Sequence, residues 1–515
     1  MSKFYITTPI YYVNDQPHIG HAYTTIAADV LARYHRLKGE EVFFLTGTDE
    51  HGSKVFGSAQ EAGQEPQAFC DENSAKFQMV WDRLNIANDY FLRTTSIEHK
   101  KGVAKFLNEL KDAGLIYQSD YTGLYCTGCE KFVTEKELVG GLCPDHKKEP
   151  EVLKERNYFF KFNQYLPKLL KLIDNGELKI LPANKKNEVL GLIKQGLTDF
   201  SISRESVKWG IKIPFDDSQV VYVWVEALMN YVTGLGYGGD ESNFNKFWPA
   251  DIHLMAKDIL KFHALYWPAL LLAVGLPLPK VIFAHGFFTI DGEKMSKTLG
   301  NIIDPNVLID ELGSDAVRYL LLSQFPFGAD GDVKASSLAI LYNADLANGI
   351  GNLTSRVLAM AEKYFSDRGK SQARGRQGVS GGQVPAKDFE FSDEVAGIWH
   401  QYQTAMKNFQ LDQVIEIIRK LNAFADSYVE RQKPWELAKS DPDQLVKVIY
   451  NLLEIIRHLA LMIYPVMPTV AEKIMTNLGQ ADWLERDFKE LIDWGGLEPG
   501  TKVTKSEALF PRLEK

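Results

Sequence analysis

Two short strings place phosphate-handling chemistry beside apolar runs. The first is Pro17-His18-Ile19-Gly20-His21. It follows a short apolar run, Phe4–Thr8, and the turn-rich stretch Asn14-Asp15-Gln16-Pro17, and it opens a helical pattern. Helix N-terminal amides and the positive dipole end attract an anion. Gly20 has no Cβ, so a nucleotide could approach the backbone closely. His18 and His21 are three apart, so both imidazoles can face one side of the first turn and donate to charge building on a phosphate. A metal pair or a chance spacing is the other reading of these histidines. The second string is Asp291-Gly292-Glu293-Lys294-Met295-Ser296-Lys297-Thr298. Gly292 permits a tight turn, and two flexible ammonium groups can swing onto a polyphosphate and neutralise it. Taken alone, this string is also what a solvated loop looks like. The two in this order, each beside a strand, make a stronger signal than either.

Two further clusters carry chemistry. Cys126-x2-Cys129 and Cys143-x2-His146 are two knuckle halves. Three thiolates and one imidazole make a closed tetrahedral zinc site, structural rather than catalytic. The alternative is buried thiols beside a chance histidine. Four cysteines in 515 residues point away from a disulfide framework and towards a reducing compartment. The second cluster is aromatic: Tyr12, Trp224, Tyr231, Phe262, His263 and Trp267. The last three fall at helical spacing and could be a core stripe. Taken alone such a stripe is more often core, but an aromatic cage also suits a thioether, which is polarizable and favours ring edges.

The elements that must position these groups begin with a βαβ unit. Phe4–Thr8 and Val42–Leu45 read as buried strands, and Ile26, Val30, Leu31, Tyr34 and Leu37 mark one helix face that stops at Gly39. Parallel strands joined by a crossover helix imply a doubly wound α/β sheet with ligands at the carboxyl ends of its strands. Further strands are expected at Val220–Val225, Ile252–Met255 and Val281–Ala284, so the sheet is discontinuous and an inserted module holds the cysteines. Beyond about residue 340 helical periodicity takes over, at Leu341–Leu358, Val395–Phe409, Leu411–Tyr428, Leu445–Tyr464 and Val470–Leu478, which predicts an α-helical bundle. Arg368–Pro385, rich in Gly, Ser, Gln and Arg, reads as a linker. The N-terminus lacks the pattern of a signal peptide, and no apolar run reaches the ~20 residues needed to span a bilayer. A soluble cytoplasmic protein is expected.

Here the chain resembles the class I aminoacyl-tRNA synthetases, whose signatures read HIGH and KMSKS. The first is matched in full, and the second has Thr298 in place of serine. Thr8–Asp15, Phe44–Gly52, Ser201–Arg204, Val221–Ala227 and Ala256–Ile259 are similar to strings of the methionyl-tRNA synthetases with a single zinc knuckle, although that family usually has glycine at the Ala256 position. The resemblance implies a Rossmann-like catalytic domain in two halves, 1–114 and 220–290. Between them lies a zinc-knuckle connective domain, 115–219. A KMSKS-loop and stem-contact region, 291–340, and an α-helical anticodon-binding domain, 341–515, follow. It also implies methionine–tRNA ligase activity. ATP with Mg2+ activates methionine, pyrophosphate leaves, and methionine passes from the adenylate to tRNA(Met), the initiator included.

By the same resemblance His18, His21, Lys294 and Lys297 act on the triphosphate and the transition state. Gly20, Met295, Ser296 and Thr298 bind the nucleotide, and Arg204 supports the reaction from the inserted side. Ile10, Tyr12, Trp224, Ala227, Tyr231, Phe262, His263 and Trp267 line the methionine side-chain pocket, and Asp49 holds the α-amino group. Asn352, Arg356 and Trp435 read the anticodon, and Cys126, Cys129, Cys143 and His146 hold one structural zinc ion.

Three rivals fit less well. Synthetases for isoleucine, leucine or valine carry a much larger editing insertion, and a cysteine enzyme would need zinc ligands in its amino-acid pocket. A nucleotidylyltransferase needs neither zinc knuckle nor helical bundle. A zinc-knuckle RNA-binding protein has no use for two intact nucleotide strings. No appended tRNA-binding or dimerisation extension is evident, so a monomer is expected. The net charge of −9 excludes an indiscriminate polyanion binder, yet residues 368–376 sum to +4 and 431–439 to +2. Those strips suit an enzyme that meets one folded RNA at a few points.

Overall fold

The computed structural model describes all residues except 1, 15, 134, 145–146, 291, 295–302, 372–389, 499, 505–506 and 515. A six-stranded parallel sheet forms its centre. β1 (Lys3–Tyr12), β2 (Glu41–Asp49) and β3 (Tyr90–Arg93) run outward to one edge. On the other side of β1 lie the strands Ile252–Ala256, Val281–His285 and Lys179–Leu181. Chain order therefore reverses at β1, and a crevice opens at the carboxyl ends there. The β1–β2 register shifts between Thr7 and Ile10. Beyond the shift Ile10 and Tyr12, two apart and so on one face, both line the crevice.

β1 and β2 extend past the apolar runs that announce them. Their added residues include threonines, which favour strands. The buried Thr8 hydroxyl donates to that of Thr46 at 2.8 Å, so the polar atoms are satisfied inside the sheet. β3 lacked a signal because it is four residues long, with Tyr90 exposed at the edge.

Two expectations need correction. Val220–Val225 is not a strand of the parallel sheet. Asp216–Val221 pairs antiparallel with Ser203–Arg204, and Val223–Leu228 is a helix. A short apolar run cannot separate strand from buried helix by periodicity. Nor is 115–219 one uninterrupted insertion. An antiparallel sheet of Ile116–Cys126, Lys131–Val133, Glu151–Phe160 and Phe200–Ser201 carries the cysteines. The intervening strand Lys179–Leu181 returns to the edge of the parallel sheet, where Ile180 is buried.

The first helix, α1 (Ile19–Leu37), crosses from β1 to β2. The C-terminal part holds the helices Asn352–Ser371, Ser392–Lys407, Leu411–Gln432, Pro442–Ile463 and Pro468–Asn477. The last four lie close to the expected spans, whereas the expected Leu341–Leu358 is a π-helix, Tyr342–Gly351, that runs on into Asn352–Ser371. One apolar core runs from α1 into this part, where Tyr34 meets Tyr402 edge-on with centroids 6.0 Å apart. Polar groups cross the same seam. Arg318 is fully buried and donates to Asp29 at 2.6 Å, to the Val466 carbonyl at 2.7 Å and to those of Pro465 and Leu84 at 2.9 and 3.1 Å. Asp29 also accepts from Arg33 at 2.7 Å. Burial alone would push its carboxyl up, but the two guanidiniums hold it below the ordinary range. Among the described residues no helix is long and apolar enough to cross a membrane.

Candidate active site

A cavity of about 580 Å³ fills the crevice. One wall is the start of α1, where His18 is the N-cap. Its Nδ1 accepts the Gly20 amide at 3.1 Å, and His21 Nδ1 accepts the His18 amide at 3.3 Å, a reciprocal box in which both rings stack 3.7 Å apart. Burial, then His18, then Lys54, lowers the His21 pKa well below its usual value, so the ring is neutral before an anion arrives. The Ile19 amide donates to the Ile303 carbonyl at 3.2 Å. That bond ties the helix start to the residue after 295–302. Lys294 pairs by its backbone with Thr289 in a hairpin turned at Gly292, whose φ of +80° suits a residue without a Cβ. Met295, Ser296, Lys297 and Thr298 lie outside the described residues.

The second wall is the end of β2. Asp49 is buried, and its Oδ1 has no hydrogen-bond partner; the Tyr12 hydroxyl beside it has none either. Burial, then the charge of Glu226, raises the Asp49 pKa well above the carboxylate range, against the pull of the His51 amide. A buried orphan pair of this kind carries a standing cost that an incoming cation would relieve.

The third wall is aromatic. Trp224 stacks on Phe262 at 4.1 Å and meets Tyr12 edge-on at 6.3 Å, while its Nε1 donates to the Cys129 carbonyl at 3.3 Å. His263 Nδ1 bonds the Ile259 carbonyl at 2.9 Å, which can only accept, so the ring's Nε2 accepts from the Tyr231 hydroxyl at 2.6 Å. Burial lowers the His263 pKa to about 4, so this wall is neutral. Ile10, Tyr12, Asp49, Trp224, Ala227, Tyr231 and His263 all line the cavity. Phe262 and Trp267 do not line it but stand behind it. Trp267 is fully buried 6.0 Å from the Tyr231 ring and bonds His253. The Phe262–Tyr266 turn is a π-helix, closed by the Trp267 amide on the Phe262 carbonyl. The wider turn replaces the expected regular helical spacing, a feature frequent at functional sites.

Arg204 does not reach the cavity. Its Nε and Nη2 bond Glu155 at 2.8 and 3.2 Å, and its guanidinium lies 4.1 Å over the Tyr125 ring. Ser201–Arg204 belongs to the antiparallel sheets, and these partners hold the side chain there. Residues without an assigned role from sequence surround the site instead. Glu226 bridges His51 and His99, and His285 lines the cavity with its Nε2 2.7 Å from the Thr24 hydroxyl. Polar types inside apolar strings, as in Val221–Ala227, were their only signal.

In the inserted sheet the sulfurs of Cys126, Cys129 and Cys143 lie within 4.8 Å of one another, with Cys129 and Cys143 3.6 Å apart. A tetrahedral ion with Zn–S bonds of ~2.3 Å needs sulfurs ~3.8 Å apart, so the cluster could hold a metal ion. His146 lies outside the described residues.

The family model described as tRNA synthetases class I (M) matches residues 4–150 and 145–358. The chain is 44% identical to the methionine–tRNA ligase of Thermotoga maritima, covering 99% of this chain and 80% of that one. The chain belongs to the methionyl-tRNA synthetases. A methionine–tRNA ligase of Rickettsia conorii is 43% identical over the full length of both. The methionyl-tRNA synthetase of Mycobacterium tuberculosis in complex with methionyl-adenylate superposes with a TM-score of 0.91 at 39% identity, over 99% of this chain and 100% of that one. The free-state structure of that enzyme gives 0.84 at 36% identity, over 100% and 99%.

A second model, the anticodon binding domain of methionyl tRNA ligase, matches residues 379–515. In this synthetase the expected anticodon readers are exposed or half-exposed. Asn352 opens a helix and faces solvent, and Arg356 on the same face pairs with Glu430 at 3.0 Å. Glu430 lies near the end of Leu411–Gln432, where Lys433 adopts a left-handed φ of +44°. Trp435, 42% exposed, stands in the first turn of the next helix, Pro434–Ser440.

Proposed function

We propose that this methionine–tRNA ligase activates its amino acid in the crevice between β1, β2 and the π-turn. One observation carries the reading. The same cavity holds a buried carboxylate oxygen and a hydroxyl without partners on one side and a neutral aromatic wall on the other. The ammonium of methionine takes the orphan Asp49 Oδ1 and Tyr12 hydroxyl as partners, and the bound cation returns Asp49 to its charged form. The thioether packs among Trp224, Tyr231, Ala227 and the uncharged His263, where a charged imidazole would repel an apolar chain. Ile10 closes that pocket, and Phe262 and Trp267 back it.

With the amino end fixed, the carboxylate points towards the start of α1, where ATP lies. It attacks the α-phosphate in line and pyrophosphate leaves. His18 and His21 accept the capping amides on Nδ1, so each neutral ring carries its proton on Nε2 and donates from there to the phosphates, and Gly20 lets the nucleotide approach. Lys294 and Lys297 neutralise the leaving pyrophosphate, with Met295, Ser296 and Thr298 shaping their loop. A magnesium ion bound with ATP would supply further screening of the phosphate charge. The aminoacyl group then passes to the terminal adenosine of tRNA(Met), initiator included, while Asn352, Arg356 and Trp435 read the anticodon by edge hydrogen bonds and stacking. Arg204 has no direct part in these steps.

Cys126, Cys129 and Cys143, with His146, fit one zinc ion, which would cross-link the knuckle. The Cys129 carbonyl on the Trp224 indole then joins that knuckle to the pocket wall. Domain boundaries at 114/115, 290/291 and 340/341, a monomeric state and a cytoplasmic location complete the proposal. Amino-acid-dependent ATP–pyrophosphate exchange across a panel of amino acids tests it. Exchange with methionine alone is expected; exchange with isoleucine instead, or none, overturns it.

A further inference from the structure

Behind the ammonium site lies a buried network that the reaction does not use directly. Glu226 is fully buried on the helix Val223–Leu228. Its Oε1 lies 2.7 Å from His51 Nδ1 and its Oε2 2.9 Å from His99 Nε2. The other nitrogen of His99 is 2.7 Å from the Thr233 hydroxyl. One carboxylate thus grips two imidazoles from two separate segments.

The two ends of this grip matter for the pocket. His51 stands two residues after Asp49, and its amide hydrogen-bonds the Asp49 carboxylate. Ala227, next to Glu226, and Trp224 line the methionine side of the cavity. Glu226 therefore fastens the end of β2, which aims Asp49, to the helix that presents the apolar wall. Other holds on the same loop act further along it. The Glu50 carboxylate pairs with Arg93 at 2.7 Å, the Glu50 amide donates to Thr94 Oγ1 at 2.9 Å, and the Gly52 amide donates to the Trp209 carbonyl at 3.1 Å. None of these reaches across to the helix Val223–Leu228.

We propose that Glu226, through His51 and His99, is a positioning residue that holds Asp49 at the distance from the apolar wall that an α-amino acid requires. The inference rests on the reading that Asp49 takes the ammonium group. It predicts that weakening the grip costs the ammonium contact and spares the side-chain pocket.

The test compares equilibrium binding of methionine with that of its des-amino analogue, 4-(methylthio)butanoate, by calorimetry on the full chain. Asp49→Asn is the reference, and it should weaken methionine at least about 100-fold while leaving the analogue nearly unchanged. Glu226→Gln, which keeps shape but cannot accept from both rings, should weaken methionine about tenfold and the analogue less than about twofold. Equal weakening of both ligands, or none, overturns the proposal. If Glu226→Gln does not fold, Thr233→Val carries the test. Losing the hydroxyl that fixes His99 should weaken methionine about threefold and not the analogue, and no separation overturns the proposal. An Asp49→Asn protein that fails to separate the ligands overturns instead the placement of the ammonium at Asp49.

Discussion

The crevice and the surface that carries Arg356 and Trp435 handle polar groups in opposite ways. At the crevice, carboxylates and imidazoles are buried and locked: Glu226 between two histidines, Asp49 with an oxygen left unpartnered. At that surface Arg356, Lys433 and Trp435 stand in or near water, and Arg356 makes solvent-exposed ion pairs with Glu430 and Asp426 at 3.0 and 3.8 Å. Such pairs are worth ~0–1 kcal/mol each and are readily exchanged for contacts with RNA. The contrast teaches that the proposed amino-acid site is preorganised, whereas the proposed anticodon readers keep their donors available. Adenylate chemistry should therefore be sensitive to small changes in the first region and indifferent to the second.

The largest expected effect is that of Asp49→Asn, which should cut kcat/KM for methionine in pyrophosphate exchange by about 10³-fold, as loss of a buried charge partner does. The same variant should melt higher than the parent at neutral pH and not near pH 4. The native carboxyl keeps its proton to higher pH than the unfolded chain does, so the native state loses stability as pH rises past an unfolded value of about 3.9. Thermal melts at both pH values check the sign. Next, Trp435→Ala should lower tRNA charging by about 10–100-fold, the worth of one stacked base, with exchange unchanged. Equal loss in both assays would erase the contrast between the two regions.

A smaller effect is expected from pH. Binding of methionine should strengthen as pH rises above the ordinary carboxylate range, by at most about tenfold per unit while Asp49 must lose its proton to bind the ammonium. Titration calorimetry in two buffers should show proton release on binding, and a flat profile would place the ammonium elsewhere. The smallest kinetic effect belongs to Arg204→Met. Breaking the buried pair with Glu155 should lower thermal stability by about 3–5 kcal/mol, yet exchange by the folded enzyme should stay within about threefold. A large loss of kcat at full folding would return Arg204 to the chemistry.

The parts legible in the sequence were those written in local code. The βαβ unit, the helical spans and the cysteine spacing each follow from periodicity or ligand geometry within a few dozen residues. Seven of the nine expected methionine-site residues line one cavity because they sit at strand ends and helix starts that the fold must bring to the switch point. What stayed hidden depends on long-range placement. The role of Glu226 appears only when residues 51 and 99 arrive beside it. The strand Lys179–Leu181 is too short to announce itself, and its partner lies about a hundred residues away. The pairing of Arg204 with Glu155 stayed hidden because a buried arginine reads the same in sequence whether it faces a substrate or a carboxylate.

Arg318 gives the protein a timetable as well as a shape. Its guanidinium meets Asp29 early in the chain, but two of its acceptors, the carbonyls of Pro465 and Val466, lie 147 and 148 residues downstream. At a synthesis rate of ~5–20 residues per second those acceptors are made ~7–30 s after the arginine. During that interval the sheet can close around its own strands, yet a buried cation lacks two of its carbonyl acceptors. The nascent catalytic half therefore cannot reach its final packing on the ribosome until the helical half has been made.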